Sequence, residues 1–181
     1  MSERRGSYFR LVAFEHSIFA LPFALQGAWL AARGMPRVRT LSWIVVCAVA
    51  ARTAAMAFNR LADARIDERN PRTADRELPA GRLSRARVAA LVLAAAAVFV
   101  AGAYALNPLC GRLALPVLGV LLGYSFTKRF TVLAHLVLGL ALALAPLGAW
   151  LAVRGDLEGD LGAPLLLAGA GVVAGVPVLP L

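Results

Sequence analysis

Arg52, Asn59, Asp63 and Asp67 are separated by seven, four and four residues. On an α-helix, at about 100° per residue, the four fall within an arc of about 80°, a single polar stripe. The stripe begins inside an apolar segment and emerges into "FNRLADARIDERNPRTADRELPAGR" (58–82), where charge takes over. Two carboxylates and an amide oxygen, one turn apart, form an oxygen-rich surface. Hard divalent cations such as Mg2+ prefer that surface, usually with substrate phosphates completing the shell. Arg72 and Arg76, again four residues apart, suit the phosphate oxygens themselves. Any one of these residues would be at home in an ordinary juxtamembrane loop of Arg/Asp ion pairs. Their joint pattern would not, because Arg52 and Asn59 lie too deep to be topology signals, and polar groups at that depth normally face a cavity or a partner.

The elements that position this stripe are membrane helices. Hydrophobic residues make up 60% of the 181-residue chain, and the mean hydropathy is +0.73. Soluble domains are less apolar. Stretches near the 20 apolar residues that a span requires occur at 12–32, 41–61, 88–106, 113–127, 131–153 and 162–180. The expected fold is therefore all-α, a multi-pass transmembrane helical bundle. Small residues throughout, among them Gly119, Gly123, Gly139 and Gly148, suit close helix packing in lipid. The net charge of +9 follows from arginine-rich loops at a membrane surface and does not call for nucleic acid as a partner. Cys47 and Cys110 have neither CxxC nor His/Cys spacing, so neither a metal site nor a disulfide is expected.

Orientation follows from the basic residues between spans. With the N-terminus in the cytoplasm, twelve lie inside: Arg4, Arg5, Arg10, Arg65, Arg69, Arg72, Arg76, Arg82, Arg85, Arg87, Lys128 and Arg129. Five lie outside: Arg33, Arg37, Arg39, Arg112 and Arg154. This arrangement puts the aspartate-rich loop and the Lys128-Arg129 loop on one cytoplasmic face.

The segment "NRLADARIDERNPRTADRELPAG" resembles the first aspartate-rich motif, NxxxDxxxD, of the UbiA superfamily of intramembrane aromatic prenyltransferases. Its trailing "RTADRELPAG" is similar to the RTAxRxLPxG run of the 4-hydroxybenzoate polyprenyltransferase branch. "FEHSIFALPFAL" (14–25) resembles that branch's first span, and "GYSFTKRFTVLAHLVLG" (123–139) its tyrosine–lysine–arginine segment. The resemblance implies a Mg2+-dependent prenyltransferase in the cell (inner) membrane, serving quinone biosynthesis. Its substrates would be a polyprenyl diphosphate and an aromatic acid similar to 4-hydroxybenzoate. Carried over, Asn59, Asp63 and Asp67 would hold Mg2+ and diphosphate. Arg72, Arg76, Lys128 and Arg129 would neutralise the leaving diphosphate, while Tyr124 and Arg52 would line the same pocket. The catalytic set is thus Asp63, Asp67, Lys128 and Arg129. His16, beside Glu15, is a candidate contact to the aromatic acid, set against a structural hydrogen-bonding role.

The family also carries nine spans and a second aspartate motif after the sixth. This sequence stops at Leu181, and Asp156, Glu158 and Asp160 fall in an outer loop that does not replace those carboxylates. The expectation is a single membrane-embedded domain over 1–181, about six spans of the nine, incomplete at its C-terminus and with near-background transfer by itself. A non-catalytic membrane protein that binds isoprenoid diphosphate or a partner chain is the alternative. A CDP-alcohol phosphotransferase would need a DG pair before its aspartates, and Ala57 and Phe58 stand there instead.

Overall fold

The computed structural model describes residues 20–130 and 134–156, with positions 165, 168 and 169. Its elements there are helices: α1 (Ala20–Ala32), α2 (Val38–Asp67), α3 (Arg85–Leu106), α4 (Pro108–Phe130) and α5 (Ala134–Arg154). Four of them are long and apolar enough to cross a membrane, and the apolar stretch Leu21–Ala32 is shorter. Leu93, Val98, Leu115 and Leu140 are exposed on the helices that span. In water that would be costly, whereas in lipid it is where such side chains belong.

α2 decides the architecture of the site. Its 30 residues contain neither Gly nor Pro, so nothing interrupts the backbone hydrogen bonding. At 1.5 Å per residue it is about 45 Å long, against about 30 Å of hydrocarbon. The helix therefore carries its ladder beyond the apolar stretch, six residues past the end expected at 61, and keeps the polar stripe on one rod. It stops just before Asn70-Pro71, where the clash ahead of proline disfavours helix. The orphaned Asp67 carbonyl then accepts from the Thr73 hydroxyl at 3.1 Å and the Asn70 N–H at 3.3 Å.

α2 makes its broadest contact with α3, α1 with α5, and α4 bridges α3 and α5 while also reaching α2. The packing is built largely from alanine: Ala54 and Ala95 around Leu118 in one cluster, and Ala24, Ala28, Ala149 and Ala152 around Ile44 in another. Small side chains let the backbones approach. Backbones come close between α1 and α5, where a Cβ on Gly27 would sit 2.5 Å from the Pro146 carbonyl oxygen. Backbone cannot swing aside as a side chain can. Gly27→Val should therefore cost about 2–3 kcal/mol, read as a lower midpoint of unfolding in detergent. An unchanged midpoint would show that α1 and α5 part freely at this point.

Besides the end of α2, one boundary differs from the sequence reading by more than three residues. α4 begins at Pro108, five residues before the expected 113. Asn107 caps it, its Oδ1 accepting the Cys110 N–H at 2.8 Å, and a proline in the first turn needs no partner for the N–H it lacks. The same side chain ties α4 to α5, its Nδ2 donating to the Leu151 carbonyl at 2.9 Å. Of the first span, expected over 12–32, the described part starts at Ala20, and 12–19 lie outside the described residues. The sixth expected span, 162–180, also lies outside them except at 165, 168 and 169.

Candidate diphosphate-binding site

The projecting end of α2 and the connection to α3 fold on each other. Residues 68–84 form a chain of turns, with Thr73 and Ala74 N–H groups donating to the Asn70 carbonyl, Ala80 to Arg76 and Leu83 to Glu77. Asn70 Oδ1 accepts the Arg72 N–H at 3.0 Å, closing an Asx turn. Leu83 is buried with Ala57, Val88 and Val92, and Leu78 packs against them beside Phe58 and Leu61. Hydrophobic burial thus seats the connection as a cap on the α2–α3 pair. Arg82 pairs with Asp75 at 3.0 Å, and Arg85 reaches Glu68 at 3.4 Å.

Within this cap, Arg76 Nη1 donates to both oxygens of Asp67, at 2.8 and 2.9 Å. The Asp67 side chain is 8% exposed and that of Arg76 36%. A carboxylate so enclosed needs a cation, and Arg76 supplies it. Asn59 and Asp63 are half-buried on the same stripe, and each engages a neighbour. Asn59, Asp63, Asp67 and Arg76 are thus gathered at one end of the bundle. Arg72 belongs to the same cap and is exposed.

Arg52 sits seven residues, about 10 Å, deeper along α2 than Asn59. It is half-buried, and its Nε is buried without a hydrogen-bond partner. The same stripe therefore has two levels, an outer one of carboxylates and an inner one of guanidinium. On α4, Tyr124 is half-buried, and the neighbouring Ser125 is 1% exposed with an unpartnered Oγ. Phe126 meets Phe58 edge-on, with ring centroids 5.7 Å apart, which brings this end of α4 to the level of Asn59. Lys128 and Arg129 belong to the last turn of α4, but their side chains lie outside the described residues, as does His16.

Two site residues went unrecognised in the sequence. Arg60 has a buried Nε with no hydrogen-bond partner, and its charge acts on Asp63, Asp67, Glu77 and Arg76. A helical wheel places it within about 20° of Asp67, which was a readable signal. Glu77 is 6% exposed. Nothing in its local sequence marks it, because its burial follows from the way the connection folds back.

Among the described residues, no three or more His, Cys, Asp or Glu side chains converge on a point where they could hold a metal. A cation here would have two carboxylates and the Asn59 amide oxygen from the protein. That donor set is all oxygen and incomplete, which fits Mg2+ taking its remaining ligands from phosphate and water. A cleft of about 550 Å³ opens at the opposite end of the bundle, beside Arg37, Thr40 and Asn107, and contains none of the candidate residues.

The sequence pattern of the UbiA prenyltransferase family matches residues 20–179. The chain belongs to that family. Among its UbiA relatives, the 4-hydroxybenzoate octaprenyltransferase of Vibrio atlanticus (strain LGP32) is 32% identical over 160 residues, covering 87% of this chain and 56% of the relative. That of Nitrosomonas europaea is 36% identical over 145 residues, covering 77% and 49%. The chain thus spans about half the length of the curated relatives it matches. Among solved structures, a UbiA homolog from Aeropyrum pernix K1 superposes with a TM-score of 0.79 at 37% identity, covering 89% of this chain and 60% of that one. A UbiA homolog from Archaeoglobus fulgidus, bound to DMAPP and Mg2+, superposes with a TM-score of 0.76 at 19% identity, covering 93% and 61%. The last likeness concerns the fold. Together with the described helices, family membership makes this a multi-pass helical membrane protein of UbiA architecture.

Proposed function

We propose that this chain binds a polyprenyl diphosphate together with Mg2+ at the projecting end of α2, for transfer of the prenyl group to an aromatic acid such as 4-hydroxybenzoate in quinone biosynthesis. The observation that carries the reading is the stripe of Asn59, Asp63 and Asp67 beneath an arginine-bearing cap, at the end of a helix that outruns the membrane. The names of the curated relatives and the ligands of the Archaeoglobus structure point the same way.

In this reading Asp63, Asp67 and the Asn59 amide oxygen hold the cation. Bound there, Mg2+ neutralises charge on the departing diphosphate. Arg72, Arg76, Lys128 and Arg129 add fixed positive charge on the same oxygens. Breaking the allylic C–O bond sends its electron pair to diphosphate, so donors already in position lower the barrier without reorganising. A ring carbon of the aromatic acid then attacks the allylic cation and the ring loses a proton. Tyr124 and Arg52 line the inner level, where Arg52 offers a cation to the acid's carboxylate; His16 is a further candidate contact there. The apolar faces between helices exclude water from the cation.

The test is transfer of a labelled prenyl group to 4-hydroxybenzoate in membranes holding the full chain. Product that depends on Mg2+ and on Asp63, above the near-background rate expected from the sequence, would carry the reading. Mg2+-dependent binding of the diphosphate without any product would favour the alternative, a membrane protein that binds isoprenoid diphosphate without transfer.

The reading places the site at the cytoplasmic face of the inner membrane, by the twelve-to-five distribution of basic residues. Reporter fusions at Ala80 and Arg129 should both read cytoplasmic, and one at Gly159 external. An external signal at Ala80 would part the two basic loops from a shared substrate and end the proposal.

A further inference from the structure

We propose that Arg76 makes this site selective for magnesium already carried by a diphosphate, at the expense of the bare ion. The inference rests on the function proposed above and concerns how Asp67 is kept until substrate arrives. One guanidinium nitrogen bonds both Asp67 oxygens, at 2.8 and 2.9 Å, so a metal that takes either oxygen must compete with Arg76 for it. The pairing is held by more than the two side chains. The Thr73 hydroxyl bonds the Asp67 carbonyl at 3.1 Å, the Arg76 N–H donates to the Thr73 carbonyl at 3.0 Å, and the Arg76 carbonyl accepts from Ala80 at 2.9 Å.

A bare Mg2+ that took Asp67 would strip Arg76 of that carboxylate while Arg60, a second cation, stands close enough to repel it. A partly buried charge that loses its partner is penalised, with solvent screening part of the cost. Diphosphate alone fares no better, since its charge meets Asp63 and Asp67. When the two arrive together, the exchange balances: Asp67 passes to the metal and Arg76 to a phosphate oxygen. Metal and diphosphate then each raise the affinity for the other by the same factor.

The experiment titrates Mg2+ alone, and geranyl diphosphate with Mg2+, onto the full chain in detergent. The wild-type chain should bind bare Mg2+ weakly and the Mg2+–geranyl diphosphate pair much more tightly. Arg76→Gln should bind bare Mg2+ about tenfold more tightly and the pair about tenfold more weakly, opposite shifts of about 1.4 kcal/mol each. Arg76→Lys keeps a cation but not the two-oxygen contact, and should shift both affinities in the same directions by less. It carries the test if Arg76→Gln does not fold. Bare-ion affinity that is unchanged or weaker in the folded variant overturns the inference, because a phosphate-binding or structural role for Arg76 predicts only losses. No binding of the pair by wild-type chain removes the proposed function itself, and this inference with it.

Discussion

Asp63→Ala should weaken Mg2+-dependent binding of geranyl diphosphate by about a hundredfold or more, and Asp67→Ala should do so at least as severely. Each substitution removes one of two carboxylates from a cation that has few protein ligands, and leaves phosphate charge less compensated. Charged contacts of this kind are worth about 3–4 kcal/mol. Asp67→Ala has a second consequence: Arg76, 36% exposed, loses the carboxylate that neutralises it, a loss that solvent screens to about 1 kcal/mol. The cap should therefore loosen in Asp67→Ala and hold in Asp63→Ala, with proteolysis between 68 and 84 rising only in the former. Binding indifferent to EDTA and to both substitutions would rule out the site.

Ala62→Pro should abolish the same binding while leaving the chain in the membrane. Proline at 62 removes the hydrogen bond to the Phe58 carbonyl and clashes with it, a penalty of about 3 kcal/mol or more in a helix interior. The break falls between Asn59 and Asp63, and so turns the stripe's two halves away from each other. Ala62→Gly costs about 1 kcal/mol, keeps the hydrogen bond, and should retain most of the binding. If Ala62→Pro bound normally, the continuity of α2 would not be what assembles the site.

The stripe was legible because helical periodicity is a local property: 30 residues without Gly or Pro fix the angular positions of Asn59, Asp63 and Asp67 wherever the helix packs. The all-helical membrane fold was legible for a similar reason, since composition alone specifies it. The Asp67–Arg76 contact was not. Its partners are nine residues apart across turns whose path depends on Leu78 and Leu83 finding the α2–α3 surface. Arg72 and Arg76 look equivalent as text, and only that path gives Arg76 the buried carboxylate. Glu77 was missed on the same account. The start of α4 was misplaced because Gly111 and Arg112 read as loop, although Asn107-Pro108 is a strong helix opening. Arg60 could have been read from the wheel and was overlooked beside its more acidic neighbours.

The broadest helix contact in the bundle joins α2 and α3, which are also neighbours in sequence. Asn59, Asp63, Asp67, Arg72 and Arg76 all lie on this one hairpin, whose cap is closed by hydrogen bonds between residues a few positions apart. Contacts of short sequence separation form early, because little chain entropy is lost in closing them. During synthesis the hairpin can therefore enter the membrane and settle its charged end before α4 and α5 have left the ribosome. The clamp of Arg76 on Asp67 has a use at that moment: it neutralises a carboxylate that would otherwise wait, bare, at the edge of the bilayer.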